Sequence, residues 1–390
     1  MSSADVAAGP DRVGLDPERL AALTTRAARE VDAGRLPSCQ LAVAREGRLA
    51  AVVTLGAATD DSRYLVFSVT KALTAAAVWV ALGDGLLTTQ TRVAELVPEF
   101  AREGFDAVTV EHLLTHTAGF PRAPLPPLDG DTSAGRRDWF ARWRLDWPPG
   151  TQTEYHPTSA HWVVAELLDK VAGQDYRAFV RDRLLAPLGL KRLRLGLPVD
   201  EQVDIAPAVA VGHDETISDS APVVVTIDHL LAMDDPAVRA VGVPGAGAVS
   251  DAADIALLYQ AFLHNPDQLW DAAVLTDATH RVRNRLIDPW TQVPANRTLG
   301  LVVAGDDGKQ GMRELGRSVG AAAFGASGAS GQVAWADPDT GVSFCYLTNG
   351  LEVDQVKAFL RAGSLSTLAG RLTVPMGDVA PTGRTTESPL

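Results

Sequence analysis

The stretch Phe67-Ser68-Val69-Thr70-Lys71-Ala72-Leu73-Thr74-Ala75 decides how the rest of the chain is interpreted. Apolar residues recur behind it at helical spacing as far as Gly83, which predicts that Ser68 lies at or just inside the start of a helix. Lys71, three positions later, shares the same helix face. Free backbone N–H groups and the positive end of the helix dipole lie near such a serine, and the amine can accept its proton. Ser68 and Lys71 are therefore candidates for a nucleophile and its base.

Composition narrows the classes of function. The 390 residues carry 35 Lys and Arg against 48 Asp and Glu, a net charge of −13. This charge opposes nonspecific binding to nucleic acid or an anionic membrane, so we predict neither partner. No apolar run is long enough to span a bilayer and the first residues do not resemble a signal peptide, which predicts a cytoplasmic protein. Cys39 and Cys345 lie in apolar, strand-like runs and are predicted to be small core residues, without a disulfide or a metal.

The order of the predicted elements indicates one sheet assembled from both ends of the chain. Two strands surround a turn at Glu46-Gly47, a hairpin turns at residues 337–341, and the section between is mainly helical. We predict an α/β lobe from residues 10–66 with 297–372, a mainly helical lobe from 67–296, and a loose tail at 376–390. Helices are predicted at 16–33, 68–83, 111–119, 162–172, 176–185, 250–263 and 353–370, and strands within 40–53 and at 299–304, 332–336 and 342–347.

Ser68 and Lys71 alone would also fit an ordinary capped surface helix, because serine often caps helices and lysine is common on their surfaces. Four further stretches change this interpretation. They are Glu111-His-Leu-Leu-Thr-His-Thr-Ala-Gly119, Pro149-Gly-Thr-Gln-Thr-Glu-Tyr155, Gly245-Ala-Gly-Ala-Val-Ser-Asp-Ala-Ala-Asp254, and Phe324-Gly-Ala-Ser-Gly-Ala-Ser-Gly331 followed by Asp337-Pro338.

In this order, from about residue 38 to 350, the set resembles the serine β-lactamase-like hydrolases. Within them it is similar to class C β-lactamases, D-amino-acid peptidases and β-lactamase-fold carboxylesterases. The resemblance implies an α/β fold like that of β-lactamases and penicillin-binding proteins. In that fold an antiparallel sheet is flanked by helices and carries an inserted, mainly helical lobe.

The resemblance also implies a role for each matching residue. Ser68 would be the acylated nucleophile, and Lys71 would accept its proton or hold the acceptor's charge state, which requires a lowered lysine pKa. Tyr155 would be the second acid/base group, as a phenolate or as a hydrogen-bond relay. The backbone N–H groups of Ser68 and Ala329 would form the oxyanion hole. No metal or organic cofactor is implied, the partner would be a small ester or amide, and the oligomeric state stays open.

Two departures from the family's motifs bear on the substrate. The Tyr-Ser-Asn pattern is here Tyr155-His156-Pro157, so the asparagine that offers an amide to the substrate in lactamases is missing. The strand motif Lys-Thr-Gly or His-Thr-Gly is here Ala326-Ser327-Gly328, so the cation that pairs with a substrate carboxylate is missing too. The repeat Ala-Ser-Gly-Ala-Ser-Gly leaves this register open, although the spacing to Asp337 favours 326–328. The candidate substrate contacts are His156, Ala326, Ser327 and Gly328.

The predicted activity is hydrolysis of short or medium acyl esters through a Ser68 acyl-enzyme, and the missing cation favours a neutral ester. β-Lactam hydrolysis, D-amino-peptide cleavage and acyl transfer are alternatives. A non-catalytic binding protein on the same fold is an alternative of another class.

Two other motifs favour structural roles. Gly316-Arg-Ser318-Val-Gly320 matches a nucleophile elbow, but its histidine should follow the serine and the last histidine is His280. His112 and His116 have the i, i+4 spacing of metal ligands, without an evident third ligand.

Overall fold

Residues 9–212 and 225–373 are described by the computed structural model, and both ends of this part of the chain contribute to one six-stranded sheet. The strands are β1 Ser38–Arg45, β2 Arg48–Gly56, β3 Tyr64–Leu65, β4 Arg194–Leu195, β5 Val209–Val211, β6 Ala248–Ser250, β7 Val302–Val303, β8 Phe324–Gly328, β9 Gln332–Asp337, β10 Val342–Thr348 and β11 Gly350–Glu352. The sheet has the order β2-β1-β10-β9-β8-β7, and every neighbouring pair is antiparallel. Because β1 pairs with both β2 and β10, the start of the chain is joined directly to its end.

Helices cover both faces of this sheet, which confirms the predicted architecture. They are α1 Pro17–Asp32, α2 Thr70–Gly83, α3 Val110–Leu114, α4 Ser133–Phe140, α5 Ser159–Ala172, α6 Tyr176–Val180, α7 Ile227–Met233, α8 Pro236–Val241, α9 Ala252–His264, α10 Ala272–His280 and α11 Gln355–Ala369. The helices α1 and α11 pack on one face, and α9 packs on the other. Within the described ranges, no helix is both long enough and apolar enough to cross a bilayer.

The central strands are apolar along their length because both of their faces are covered. In β1, Cys39 and Val43 point towards α1 and α11, whereas Ala42 and Ala44 point into the larger core that contains α2 and α9. Cys39 and Cys345 are free and buried, as predicted from their apolar surroundings.

The helix α2 is the centre of the larger core. Of its 14 residues, 12 are buried, so the interpretation as a surface helix is wrong. Trp79 Nε1 donates a hydrogen bond to the carbonyl oxygen of Leu299 at 2.9 Å. At Gly300, which has a φ of +102°, a Cβ would lie 2.3 Å from the Cβ of Ala75. The absence of a side chain at this position therefore lets the segment before β7 lie directly on α2.

Several predicted boundaries were wrong where the local pattern competes with tertiary contacts. The helix α3 ends at Leu114, because His116 has a left-handed φ of +59° and cannot continue it. The helix α9 is capped by Asp251, since Ser250 belongs to β6 and pairs with Tyr64. The predicted strand at 299–304 is reduced to β7, and α10 was not predicted. The division into lobes at 10–66 with 297–372 and 67–296 stays a prediction, and the predicted tail at 376–390 lies outside the described residues.

Candidate active site

Ser68 lies in a short 3-10 turn, Phe67–Val69, that leads directly into α2. Phe67 has a φ of +44°, a left-handed conformation that is costly for a residue with a Cβ. The side chains of Phe67 and Val69 are buried in two different apolar clusters, and together they hold this strained turn. No side chain caps α2, so Ser68 is not a helix cap and its half-buried hydroxyl is available for other contacts.

Lys71 is held in the geometry of a general base. Its Nζ lies 3.1 Å from Ser68 Oγ and donates hydrogen bonds to the carbonyl oxygens of Pro157 at 2.7 Å and Gly245 at 2.8 Å. Burial, assisted by the positive charge of Arg297, holds the pKa of Lys71 well below its usual value. A neutral amine has two N–H bonds, which the two carbonyls accept, and its lone pair is then left for the Ser68 hydroxyl proton.

Tyr155 completes the group around the Ser68 hydroxyl. Ser68 interacts with its phenol and lowers its pKa, and Lys71 Nζ lies 4.8 Å from the centre of its ring. Burial raises the pKa of Tyr155 to about 12, although the interaction with Ser68 and the charge of Arg297 oppose the rise. This raised pKa favours the protonated phenol, which is the form that a hydrogen-bond relay requires.

The residues after Tyr155 serve the site through the backbone. The carbonyl of Pro157 accepts a hydrogen bond from Lys71, so this departure from the family motif still contributes an acceptor. His156 is fully buried; its Nδ1 lies 2.7 Å from the carbonyl oxygen of Glu154, and its Nε2 accepts from the backbone N–H of Phe120 at 3.3 Å. This corrects the sequence-based assignment of His156 as a substrate contact, because a residue without exposure cannot touch a substrate.

Buried neutral histidines pack beneath Tyr155. The ring centre of His116 lies 4.8 Å from that of Tyr155, 5.7 Å from that of His156 and 6.0 Å from that of His161. Burial lowers the pKa of His156 to about 4 and holds the pKa values of His116 and His161 well below their usual range. His116 Nδ1 accepts the backbone N–H of His156 at 3.1 Å, so these rings support the Tyr155 segment.

His112 and His116 do not form a metal site in the described residues. His112 belongs to the N-terminal cap of α3, where its Nδ1 accepts the backbone N–H of Thr109 at 3.2 Å, whereas His116 lies beyond the end of the helix. In residues 9–212 and 225–373, no group of three His, Cys, Asp or Glu side chains is arranged to bind a metal ion.

The end of β8 lies against the Ser68 turn. A Cβ at Gly328 would lie 2.8 Å from the carbonyl oxygen of Val66 and 3.4 Å from the backbone nitrogen of Ser68. This contact places the triplet 326–328 beside the Ser68 turn, whereas Ser330 of the alternative triplet 329–331 is buried. Ala329 directly follows the strand and packs against the apolar cluster that contains Phe67, and its part in an oxyanion hole stays a prediction.

Two charged residues of the site were not predicted. The guanidinium carbon of Arg297 lies 5.4 Å from the centre of the Tyr155 ring. Glu314 accepts a hydrogen bond from Ser327 Oγ. Burial raises the pKa of Glu314, although this hydrogen bond and the positive charge of Arg297 both lower it. Neither residue belongs to a recognisable motif, so no pattern in the sequence indicated them.

The alternative nucleophile at Ser318 has a structural role. Its hydroxyl donates a hydrogen bond to the carbonyl oxygen of Thr367 near the end of α11. The motif Gly316–Gly320 therefore packs against a helix and presents no free serine.

Comparisons with known proteins show the family and the fold of the chain. The family model Beta-lactamase matches residues 23–366. Esterase/beta-lactamase LipL of Mycobacterium tuberculosis is 27% identical over an alignment that covers 75% of this chain and 70% of that protein. A penicillin-binding protein homologue from Caulobacter crescentus is 26% identical, with a TM-score of 0.73 over 91% of this chain and 99% of that chain. A family VIII carboxylesterase, 23% identical, has a similar fold, with a TM-score of 0.72 over 90% of this chain and 99% of that chain.

Proposed function

Because the chain belongs to the beta-lactamase family, we propose that it is a serine hydrolase that cleaves short or medium acyl esters through a Ser68 acyl-enzyme. The observation that carries the proposal is the contact of 3.1 Å between Lys71 Nζ and Ser68 Oγ, made by an amine whose other hydrogen bonds go to neutral carbonyls. A lysine without a carboxylate partner, buried beside another cation, is suited to act as a base.

Acylation follows from this arrangement. Lys71 takes the hydroxyl proton while Ser68 Oγ bonds to the ester carbonyl carbon. The backbone N–H groups of Ser68 and Ala329 stabilise the negative charge on the carbonyl oxygen. The carbonyl then re-forms, the bond to the alcohol oxygen breaks, and the proton passes from Lys71 through the Tyr155 hydroxyl to the departing alcohol.

Deacylation uses the same residues in reverse order. A water molecule gives a proton to the Lys71 and Tyr155 pair and attacks the acyl carbon. The bond to Ser68 Oγ breaks, Ser68 recovers its proton, and the carboxylic acid leaves.

β-Lactam hydrolysis is the second candidate, since a relative is named as both esterase and beta-lactamase. A binding protein without catalysis has no evident need for Ser68, Lys71 and Tyr155 in mutual contact, so it is the weaker alternative.

Intact mass measured after brief mixing with p-nitrophenyl butyrate, and separately with benzylpenicillin, tests this function. We expect an acyl adduct, mapped to Ser68 by peptide analysis, from the ester, and loss of both adduct and turnover in Ser68→Ala. Ser318→Ala is the matched control and should keep both. An adduct from the penicillin as well would extend the activity to lactams, whereas full turnover by Ser68→Ala would remove Ser68 from the mechanism.

A further inference from the structure

The segment that carries Tyr155 is neither a helix nor a strand. Residues 152–156 belong to no regular element, so the position of the phenol beside Ser68 depends on contacts with other parts of the chain. We propose that His116 is a positioning residue, which holds Tyr155 in place for the proton relay by fastening the backbone on both sides of it. This proposal rests on the proposed function.

His116 is bonded to both sequence neighbours of Tyr155. Its carbonyl oxygen accepts the backbone N–H of Glu154 at 3.4 Å, and its ring Nδ1 accepts the backbone N–H of His156 at 3.1 Å. The ring centre of His116 also lies 4.8 Å from that of Tyr155, with 43° between the ring planes. One residue therefore contacts the chain before Tyr155, the chain after it and the aromatic ring itself.

The backbone of His116 is strained. Its φ of +59° is costly for a residue with a Cβ, and its side chain is only 1% exposed. Asn284 supports the two segments that meet here, because its side chain donates to the carbonyl oxygen of Thr115 and to Thr153 Oγ1, each at 2.9 Å. Strain of this kind persists only where the surroundings hold it, and it concentrates at functional sites.

The bond from His156 requires a neutral imidazole at His116. Nδ1 accepts a hydrogen bond only when it carries no proton, so the single ring proton lies on Nε2. Burial and four neighbouring groups hold the pKa of His116 well below its usual value; in order of effect these groups are Arg297, His156, His161 and Lys71. A charged ring would present a second donor to the backbone N–H of His156, and the contact would be lost.

A double-mutant cycle separates positioning of Tyr155 from a general structural role. His116→Asn suits the left-handed backbone and keeps a side-chain acceptor, but it removes the ring that packs against Tyr155. We expect kcat for p-nitrophenyl butyrate to fall about 10- to 100-fold, with KM changed less than about two-fold, because the relay is misplaced. In Tyr155→Phe, which already lacks the hydroxyl, the same substitution should change kcat by less than about two-fold.

Two further variants support the cycle, and circular dichroism shows whether each variant is folded. His116→Phe keeps an aromatic ring and removes the acceptor for the backbone N–H of His156. Its effect on kcat should likewise depend on the Tyr155 hydroxyl, so it tests the proposal if His116→Asn does not fold. His112→Asn is the matched control, since His112 Nδ1 also accepts a backbone N–H, that of Thr109, but in the cap of α3. It should lower Tm and keep kcat.

The outcomes distinguish the role of His116 from the proposed function. An equal fall in kcat with and without the Tyr155 hydroxyl, or no fall in either background, would overturn the role of His116 alone. Normal kcat in Tyr155→Phe would remove the relay, and no acylation of Ser68 in the wild type would remove the proposed function; either result would remove this inference as well.

Discussion

At the scale of single residues, the chemistry depends on which groups keep their protons. The proposed role of Lys71 as a base requires a lowered pKa, and its burial beside Arg297 shifts the pKa in that direction. Tyr155 must be protonated to pass a proton on, and its burial favours that form. The same low-polarity surroundings therefore favour a neutral amine at Lys71 and a neutral phenol at Tyr155, because burial disfavours the charged form of each group.

The proposed relay role of Tyr155 leads to a prediction. In Tyr155→Phe the ring remains but the hydroxyl is lost, so proton transfer to the leaving group and from water is impaired. We expect kcat for p-nitrophenyl butyrate to fall by about 10²- to 10⁴-fold, with little change in Tm. Steady-state kinetics and thermal unfolding followed by circular dichroism provide the two measurements.

Tyr176→Phe is the matched control. It also removes a buried hydroxyl, one that donates to the carbonyl oxygens of Val241 and Gly242 at 3.1 and 2.9 Å. It should lose about 1 kcal/mol of stability and keep its activity. If Tyr155→Phe lost less than about ten-fold in kcat, the hydroxyl would not be the relay.

The sequence predicted Ser68, Lys71 and Tyr155 because each belongs to a motif with a fixed local pattern. It could not predict Arg297 and Glu314, since their only link to the site is a position in space. His156 was misassigned for a related reason: its partner Phe120 lies 36 residues away in sequence, and only the folded chain shows that this histidine faces inwards.

At the scale of elements, the turn that carries Ser68, the proposed nucleophile, lies in close contact with the end of β8. A Cβ at Gly328 would meet the carbonyl oxygen of Val66 at 2.8 Å, a backbone atom that can move only with the turn. Gly328→Ala should therefore displace the turn that carries Ser68. We expect kcat/KM for p-nitrophenyl butyrate to fall at least about ten-fold, because small misplacements of reacting groups slow catalysis strongly.

Gly363→Ala controls for the loss of a glycine. Gly363 lies inside α11, where a Cβ would meet nothing within 4 Å, so this variant should gain about 0.5–1 kcal/mol in unfolding free energy and keep its activity. Kinetics and urea unfolding of both variants test the pair. Unchanged activity in Gly328→Ala would show that the turn does not depend on close contact with β8.

The elements themselves could be predicted where their signals are local. The helix α1 begins at Pro17, within one residue of the predicted start at 16, and the side chain of Asp16 accepts the backbone N–H groups of Glu18 and Arg19. The boundary of α9 was missed because Ser250, a good cap by its type, is used in β6. Pairing with a distant strand overrides local preference, and a single sequence does not reveal the partner.

At the scale of the whole molecule, the larger core contains residues from both predicted lobes, so the site and the fold are coupled. Ala42 of β1 and Cys345 of β10 belong to the same apolar cluster as Trp79 of α2 and Trp162 of α5. The order of strands in the sequence was sufficient to predict a sheet made from both ends. The sharing of one core could not be predicted, because it depends on how helices pack on the sheet.

The histidines beneath Tyr155 make this shared core sensitive to acid. His161 is fully buried, and burial holds its pKa well below the usual value of about 6.5. As the pH falls, the unfolded chain therefore binds a proton at His161 before the folded protein does. The contribution of the neutral histidine to stability is present above about pH 6.5 and is lost as the pH falls. Asp169 and Asp251 act in the opposite direction, since burial raises the pKa of each to about 6 and folding favours their protonated forms.

Replacing one histidine isolates its part of this balance. The ring nitrogens of His161 have no hydrogen-bond partner among residues 9–212 and 225–373, so His161→Phe removes the titration without removing a bond seen there. Between pH 7 and pH 5 we expect the variant to lose about 2 kcal/mol less unfolding free energy than the wild type, while His229→Gln, at an exposed position, should match the wild type. Urea unfolding at pH 7, 6 and 5 measures how the unfolding free energy of the wild type and of each variant changes with pH. If His161→Phe lost stability as steeply as the wild type, the acid sensitivity would have to come from groups other than His161.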